Sequence, residues 1–296
     1  MLLISFNQGE QCRIGVFDQL RHEVCDLSQA APQLPRDMVA FIAAGQAALD
    51  EARHAVASGK GRCSASTVKL LAPMPRPPRN LFCVGKNYRE HVQEVQSTGA
   101  TGAGAGDEIP ERPIIFTKAT SAVIGTQDPI PAWLDPTQSV DYEGELGVVI
   151  GRGGRGISRA AAMDHVYGYT IINDVTSRRM QRGHQQWFLG KSIDGFCPMG
   201  PAIATAEEIP DVTRLQVQTW VNGELRQQGC VADLIFDIPT LIETLSRTMT
   251  LEPGDMIATG TPAGVGMGFQ PPRFLGKGDV VRITIEPIGT LENPVE

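Results

Sequence analysis

Apolar and polar positions near the start of the chain predict a small unit of strands and one long helix. Residues 2–6 and 13–17 have the apolar, partly β-branched content of two short strands, separated by a turn at 7–11. From Asp37 to Val56 the apolar residues recur at helical spacing, which predicts a single helix that ends near the glycines that follow. These elements indicate a small N-terminal α/β domain.

A proline-rich segment at 73–78 separates this unit from the rest of the chain. Its prolines exclude a helix or a central strand, so we predict domains at 1–72 and 73–296. Beyond the segment, short helices are expected at 88–95 and 157–166, but most of the pattern is that of strands. The predicted fold class is α+β and mostly β, with strands at 81–84, 113–116, 145–150, 167–172, 215–221, 256–259 and 280–285.

Composition and charge exclude several classes of partner. The 296 residues include 26 Lys and Arg against 33 Asp and Glu, a net charge of −7, and the cations form no cluster that could neutralise a phosphate backbone. No apolar window of about 18 residues occurs, and the apolar stretch at 1–6 is too short for a signal peptide. We therefore expect a cytoplasmic protein with no nucleic-acid or membrane partner. The 6 cysteines lack metal-binding spacing and are expected to be free thiols.

Three carboxylates form the first candidate for a chemical site. Glu143 and Glu145 lie two positions apart on a predicted strand, which places them on one face about 7 Å apart. Asp174 follows the apolar strand at 167–172, and like charges brought together favour a cation between them. Oxygen ligands without Cys or His favour Mg²⁺ or Mn²⁺ over zinc. The alternative is that Glu143 and Glu145 line the solvent face of an edge strand.

A histidine and a glutamate on a predicted helix form the second candidate. His91 and Glu94 are three positions apart and are therefore neighbours on a helix surface. A carboxylate that orients a histidine and stabilises its protonated form makes that histidine a competent general base. An ordinary exposed His–Glu pair has the same spacing, so the pattern alone leaves both interpretations open.

Several motifs in the second half of the chain together resemble the fumarylacetoacetate hydrolase family. The resemblance covers residues 73–296, whereas residues 1–72 resemble only a variable N-terminal region found in many members. The motifs that carry it occur in order at 84–88 with His91 and Glu94, and at 141–145, 173–178, 190–195 and 260–266.

The resemblance implies a fold, a cofactor and a set of site residues. The implied fold is a mixed β-sandwich roll that is usually dimeric and holds a divalent metal, Mg²⁺ with Mn²⁺ or Ca²⁺ as alternatives. The implied metal ligands are Glu143, Glu145 and Asp174, with Lys191 beside the metal. By the same resemblance, His91 and Glu94 form a water-activating pair on a lid helix, and the substrate is bound by Arg178, Gln181 and Thr261.

The family carries out several reactions, and the residues favour one of them. All of these reactions pass through the enolate of a 2-oxo acid, and hydrolysis of a carbon–carbon bond also needs an activated water molecule. Because the His91–Glu94 pair is present, we expect a hydrolase that cleaves an acylpyruvate-type 2,4-dioxo acid, such as fumarylpyruvate, to pyruvate and a carboxylic acid. The alternatives are an oxaloacetate decarboxylase, a dienedioate isomerase, or a non-catalytic metal-binding scaffold. The glycine- and alanine-rich segment 97–108 is expected to be a mobile lid.

Overall fold

The structure is a computed structural model that describes residues 1–9, 11–97 and 109–296. The predicted mobile lid therefore lies, from residue 98 to residue 108, outside the described residues. Strands form most of the regular structure, and several of the helices are single turns. The strands are β1 Leu2–Gln8, β2 Gln11–Asp18, β3 Glu23–Asp26, β4 Arg62–Ser64, β5 Lys69–Leu70, β6 Leu81–Gly85, β7 Ile114–Lys118, β8 Val123–Ile124, β9 Val140–Asp141, β10 Gly144–Ile150, β11 Val166–Asn173, β12 Thr176–Ser177, β13 Cys197–Thr205, β14 Gln216–Val221, β15 Glu224–Cys230, β16 Met256–Ala258, β17 Val280–Ile285 and β18 Gly289–Pro294.

The helices connect these strands or cover the faces of the sheets. The α-helices are α1 Leu27–Ala30, α2 Met38–Ala43, α3 Gly45–Ser58, α4 Arg89–Ser97, α5 Arg178–Gly183, α6 Phe188–Lys191 and α7 Ile238–Ser246. Short 3₁₀ helices occupy Ala65–Thr67, Thr120–Ala122, Ala132–Leu134, Arg159–His165, Ala206–Glu208, Val212–Arg214, Val231–Asp233 and Gly266–Gly268.

One large mixed sheet forms the frame of the molecule. Its strands follow the order β4-β3-β2-β1-β13-β11-β10-β16-β6-β7, with β5 paired to β1 and β8 paired to β13. Most pairs are antiparallel, whereas β16–β6 and β13–β8 are parallel. A second, four-stranded sheet has the order β15-β14-β17-β18, and β9 pairs with β12. The α+β, mostly β fold class is confirmed.

The N-terminal strands belong to the large sheet. Strand β1 pairs with β13 at Leu2–Ala204 and Leu3–Ile203. One apolar core contains Phe41 from α2 together with Val149 from β10, so residues from before and after the proline-rich segment are buried together. The predicted boundary between residues 72 and 73 falls between β5 and β6 and remains a prediction.

Two expectations about helices and one about strands need correction. The helix expected from Asp37 to Val56 is divided into α2 and α3, because Gly45 adopts a φ of 63° that interrupts the helical backbone. The helix expected at 157–166 is the 3₁₀ helix Arg159–His165. Strand β13 was not predicted, because its prolines argue against a central strand although every one of its residues is buried.

Two central strands bring the chemical residues together. All residues of β10 are buried, and so are all but the first of β11, because each strand lies between two neighbours in the sheet and has both faces covered. The antiparallel register pairs Gly144 with Asn173. The residues just outside that pair, Glu143 and Asp174, are therefore adjacent, and the Asp174 amide donates to the Glu143 carbonyl over 2.9 Å.

Candidate active site

The three predicted metal ligands form a buried cluster at the ends of β10 and β11. Glu143 and Asp174 flank the end of the strand pair, and Glu145 is the second residue of β10. One carboxylate oxygen from each of the three lies within 4.8 Å of the others, and all three side chains are buried. The alternative that Glu143 and Glu145 face solvent on an edge strand is therefore wrong.

Two lysines neutralise part of this cluster. The Lys191 ammonium, on α6, lies 2.7 Å from a carboxylate oxygen of Glu143 and 2.7 Å from one of Asp174. The Lys118 ammonium, at the end of β7, lies 2.7 Å from the other oxygen of Asp174 and also donates to the backbone carbonyl of Lys191. Lys118 thus fixes both a carboxylate of the cluster and the helix that carries the second lysine.

An arginine and an aspartate extend the network. Arg178, the first residue of α5, pairs with Glu143 over 2.6 Å and with Asp141 over 2.8 Å. Asp141 also accepts hydrogen bonds from the backbone amides of Gly266, at 2.7 Å, and Met267, at 3.0 Å. One buried carboxylate therefore ties the arginine to the loop that follows β16.

The pKa values of Glu143 and Glu145 are shifted in opposite directions. Burial acts to raise the pKa of Glu143, but the charges of Lys191 and Arg178 outweigh it and hold that pKa far below its usual range. Burial raises the pKa of Glu145 well above its usual range, and the charges of Asp174 and Glu143 raise it further. Glu145 accepts a hydrogen bond from the Gly260 amide but forms no ion pair with a described residue.

The charge and chemistry of the cluster fit a hard divalent cation. The carboxylates of Asp141, Glu143, Glu145 and Asp174 are accompanied by three cationic side chains among the described residues, so the cluster has one negative charge in excess when all four are ionised, and the raised pKa of Glu145 reflects this excess. Buried charges are normally paired or bound to a metal. Carboxylate oxygens without sulfur or nitrogen ligands suit Mg²⁺ or Mn²⁺.

His91 and Glu94 form the predicted pair on α4. The Nδ1 atom of His91 lies 3.2 Å from a carboxylate oxygen of Glu94. The other oxygen of Glu94 accepts from the Gly264 amide over 2.8 Å. A side chain at Gly268 would overlap the Glu94 carboxylate, so glycine is required for this close approach. Glu94 is thereby held against the 264–268 loop, and Nε2 of His91 is the ring nitrogen left for chemistry.

A single small pocket brings the two groups of residues together. The cavity has a volume of about 60 Å³, and its walls include an aromatic pair, Phe116 and Trp187, whose rings are 5.3 Å apart. Asp174 and Glu94 are not among the lining residues, but Asp174 pairs with Lys191 and Glu94 contacts His91, which both line the cavity. The other predicted site residues line the cavity directly: His91, Glu143, Glu145, Arg178, Gln181, Lys191 and Thr261.

The three predicted substrate-binding residues differ in whether their hydrogen-bonding atoms remain available to a ligand. The Thr261 hydroxyl donates to the Gly144 carbonyl over 2.9 Å and accepts from Gln227, so it is committed to the fold. Gln181 is half-buried and accepts a long hydrogen bond of 3.4 Å from Arg178. The Nη2 atom of Arg178 is buried and has no partner among the described residues, which leaves it free for a ligand oxygen.

Sequence reasoning missed two buried residues of this site, Lys118 and Asp141. Lys118 ends an apolar strand, and an inward-facing lysine at such a position is a signal of a buried ion pair. Asp141 lies within the 141–145 motif, but its partners are 37 and 125 residues away in the sequence. No local sequence pattern could have identified these distant partners of Asp141.

The other predicted properties concern the thiols and the membrane. All 6 cysteines are free, as expected. None of the helices in the described ranges is both long enough and apolar enough to cross a membrane.

Comparison with known proteins defines the class to which this fold and site belong. Residues 80–296 match the model of the fumarylacetoacetate (FAA) hydrolase C-terminal family. Because that match covers most of the chain, the protein belongs to this family, and the resemblance inferred from its motifs is confirmed.

Individual relatives differ in their named activities, and the two solved structures among them share the fold. The chain is 53% identical over 232 residues to the oxaloacetate tautomerase YisK of Bacillus subtilis, covering 78% of this chain and 74% of that protein. A fumarylacetoacetate hydrolase structure from Exiguobacterium antarcticum is 43% identical, with a TM-score of 0.84 and coverage of 100% and 99%. A maleylpyruvate hydrolase from Sphingobium sp. SYK-6, in complex with manganese(II) and pyruvate, is 33% identical with a TM-score of 0.79 and coverage of 100% and 98%.

Proposed function

We propose that the protein is a divalent-metal-dependent enzyme that interconverts the keto and enol forms of a small 2-oxo acid. The observation that carries this proposal is that the His91–Glu94 pair and the carboxylate cluster line the same small pocket. The likeness to a protein named as an oxaloacetate tautomerase, at 53% identity, supports the choice of reaction.

The metal would be held by Glu143, Glu145 and Asp174. When bound, such an ion acts as a Lewis acid that stabilises the negative charge of the enolate. The buried excess charge of the cluster and its all-oxygen donor set support this assignment.

The side chains around the cluster perform the proton transfer. His91 takes a proton from the carbon next to the 2-oxo group through Nε2 and returns it to the enolate oxygen, and the reverse sequence forms the ketone. Glu94 holds Nδ1 of His91 and stabilises the ring while it is positively charged. The charges of Lys191 and Arg178 favour an anion in the pocket, and the Phe116–Trp187 wall limits the entry of water.

Hydrolysis of an acylpyruvate is the second candidate. It is favoured by the same pair, since a histidine oriented by a carboxylate can also activate a water molecule for attack on the 4-oxo carbon. The products would be pyruvate and a carboxylic acid. The likeness to a maleylpyruvate hydrolase supports this candidate at lower identity.

One set of assays tests both candidates. Tautomerisation of oxaloacetate and pyruvate release from a 2,4-dioxo acid are measured with Mg²⁺ and after chelation, for the native protein and for His91→Gln. We expect metal-dependent tautomerisation that falls by about 10²–10⁴-fold in His91→Gln, the usual contribution of a general acid–base. Glu90→Gln, an exposed change on the same helix, is the matched control and keeps full activity.

Two results would decide against the first candidate. Tautomerisation that survives chelation or the loss of His91 contradicts it. Pyruvate release that is faster than tautomerisation, and is lost in His91→Gln, replaces it with the hydrolase.

A further inference from the structure

A second arginine on α5 lines the pocket without an ion-pair partner among the described residues. Arg182 follows Arg178 by four positions, so the two side chains lie on the same side of the helix. Arg178 is held by Asp141 and Glu143. The side chain of Arg182 forms no ion pair or hydrogen bond with any residue in the described part of the chain.

Arg182 is exposed, but the part of its side chain that is buried lies beside another positive charge. Partial burial lowers the pKa of Arg182, and the neighbouring charge of Arg178 lowers it further. Asp141 is the nearby carboxylate, and it is already engaged by Arg178 and by two backbone amides. A like-charge pair four residues apart modestly destabilises a helix, and an anion bound to both guanidinium groups would offset this repulsion.

A second unsatisfied group points to the same kind of ligand. The Nη2 atom of Arg178 is buried and lacks a hydrogen-bond partner within the described ranges. Arg178 and Arg182 both line the cavity, so an oxygen ligand there could accept from both guanidinium groups. Guanidinium groups bind carboxylates in a planar, often bidentate arrangement.

The charged side chains that line the pocket also favour a ligand with more than one anionic group. The buried network carries one negative charge in excess, and a divalent cation would reverse its sign to one positive charge. Arg182 and Lys86 add two further positive charges to the wall. A ligand with two negative charges would therefore offset the positive charge of the loaded pocket better than a monocarboxylate, which would leave Arg182 without an anionic partner.

We propose that Arg182, together with Nη2 of Arg178, binds a second carboxylate of the substrate, so that the pocket selects 2-oxo dicarboxylates over 2-oxo monocarboxylates. This inference rests on the proposed function, in which the 2-oxo group of the substrate binds at the carboxylate cluster. Arg182 is then a specificity-determining residue, and it takes no part in the proton transfer.

Binding of unreactive ligands tests the inference without turnover. Malate, a hydroxy dicarboxylate, and lactate, the matching monocarboxylate, are titrated calorimetrically into the native protein and its variants in the presence of Mg²⁺. We expect the native protein to bind malate about tenfold or more tightly than lactate, the size of effect that a charge-assisted carboxylate contact gives. Arg182→Gln removes this preference because it weakens the binding of malate but not that of lactate. Arg182→Lys restores part of the preference.

A neighbouring arginine supplies the matched control. Arg179 is exposed on the same helix and donates to the Thr137 carbonyl over 2.8 Å, outside the pocket. Arg179→Gln therefore keeps the preference for malate. Three outcomes would overturn the inference. They are equally weakened binding of both ligands in Arg182→Gln, an unchanged preference for malate in that variant, and no preference for malate in the native protein.

A kinetic measurement separates this inference from the proposed function. Exchange of the C3 hydrogens for deuterium is followed by NMR for oxaloacetate and for 2-oxobutanoate, which has the same carbon chain and one carboxylate. Arg182→Gln is expected to raise KM for oxaloacetate by about tenfold, with little change in kcat and no change for 2-oxobutanoate. If the native protein exchanges neither substrate while the malate preference is still lost in Arg182→Gln, the proposed reaction fails and the second-carboxylate site stands.

Discussion

The carboxylates of the site have unequal roles because their partners differ. Glu143 is held between Arg178 and Lys191, whereas Glu145 forms no ion pair with a described residue. Breaking a buried ion pair leaves an uncompensated charge, which costs about 3–5 kcal/mol. Replacing the Glu145 carboxyl, whose raised pKa favours its neutral form without metal, breaks no ion pair with a described residue. The same substitution at these two positions should therefore have different effects on the free energy of unfolding.

Glu145→Gln and Glu143→Gln test this difference at the residue scale. Without metal, Glu145→Gln should leave the free energy of unfolding unchanged or higher, because the amide needs no counter-charge. Glu143→Gln should lower it by about 3 kcal/mol, because Arg178 and Lys191 each lose a partner. Denaturant unfolding in EDTA and calorimetric titration with Mn²⁺ give the two readouts. Weak Mn²⁺ binding is expected in both variants, and tight binding by Glu145→Gln would refute its assignment as a ligand.

The site depends on junctions between elements more than on any one element. Residues of α4, α5, α6 and the ends of β10 and β11 meet at the cavity, and the 264–268 loop is fixed by Asp141 and Glu94.

A similar junction joins β3 to α1. Asp26 caps α1 and accepts from Ser28, Gln29 and Arg13 at distances of 2.6–2.8 Å.

The β3–α1 junction predicts a pH dependence of stability. Burial acts to raise the pKa of Asp26, but its hydrogen bonds outweigh burial and lower that pKa below its usual value. Its contribution is therefore present above the pKa of the unfolded chain, about 3.9, and is lost as pH falls through the lowered folded value. Asp26→Asn should lower the free energy of unfolding by about 1–3 kcal/mol at pH 7, with the difference shrinking below pH 4.

Asp37→Asn is the control for this pH series. Asp37 caps α2 through one hydrogen bond to the Ala40 amide and is exposed. Asparagine is an equally good cap, so the change should have little effect at any pH. A difference between native protein and Asp26→Asn that stays constant from pH 7 to pH 3 would rule out the carboxylate as its source.

At the scale of the whole molecule, the N-terminal residues complete the large sheet. Strands β1 to β5 extend it beyond β13, and the apolar residues of α2 and α3 cover a face that also contains Met199 and Ile203. Removing residues 1–72 would expose this face and leave Ile203 and Ala204 of β13 without their partner strand β1, although β8 still pairs with the start of β13. Exposed apolar edges of this kind promote aggregation.

We therefore expect residues 73–296 expressed alone to aggregate or to unfold without a cooperative transition. Size-exclusion chromatography and thermal unfolding followed by circular dichroism measure this outcome against the full chain. A soluble fragment 73–296 that unfolds cooperatively and binds Mn²⁺ as tightly as the full chain would instead establish the second domain as independent.

The sequence by itself determined the local elements and the identity of the chemical residues. The strands at β10 and β11 could be predicted because runs of apolar residues are a local property of the chain. Glu143, Glu145, Asp174, His91 and Glu94 were identified by short spacings and by motifs that resemble one family. Periodicity, however, did not show the break at Gly45, because one glycine can adopt a positive φ without changing the apolar pattern.

Only the tertiary structure decided which distant residues meet and how their charges balance. The Lys118–Asp174 pair joins positions 56 residues apart, and the β1–β13 pairing joins residues about two hundred positions apart. Such contacts depend on the register of strands across the whole sheet, which no local window of sequence encodes. For the same reason, the lack of an ion-pair partner for Glu145 and for Arg182 within the described ranges follows from the folded arrangement alone. These two charges carry the proposals for the metal and for the second carboxylate.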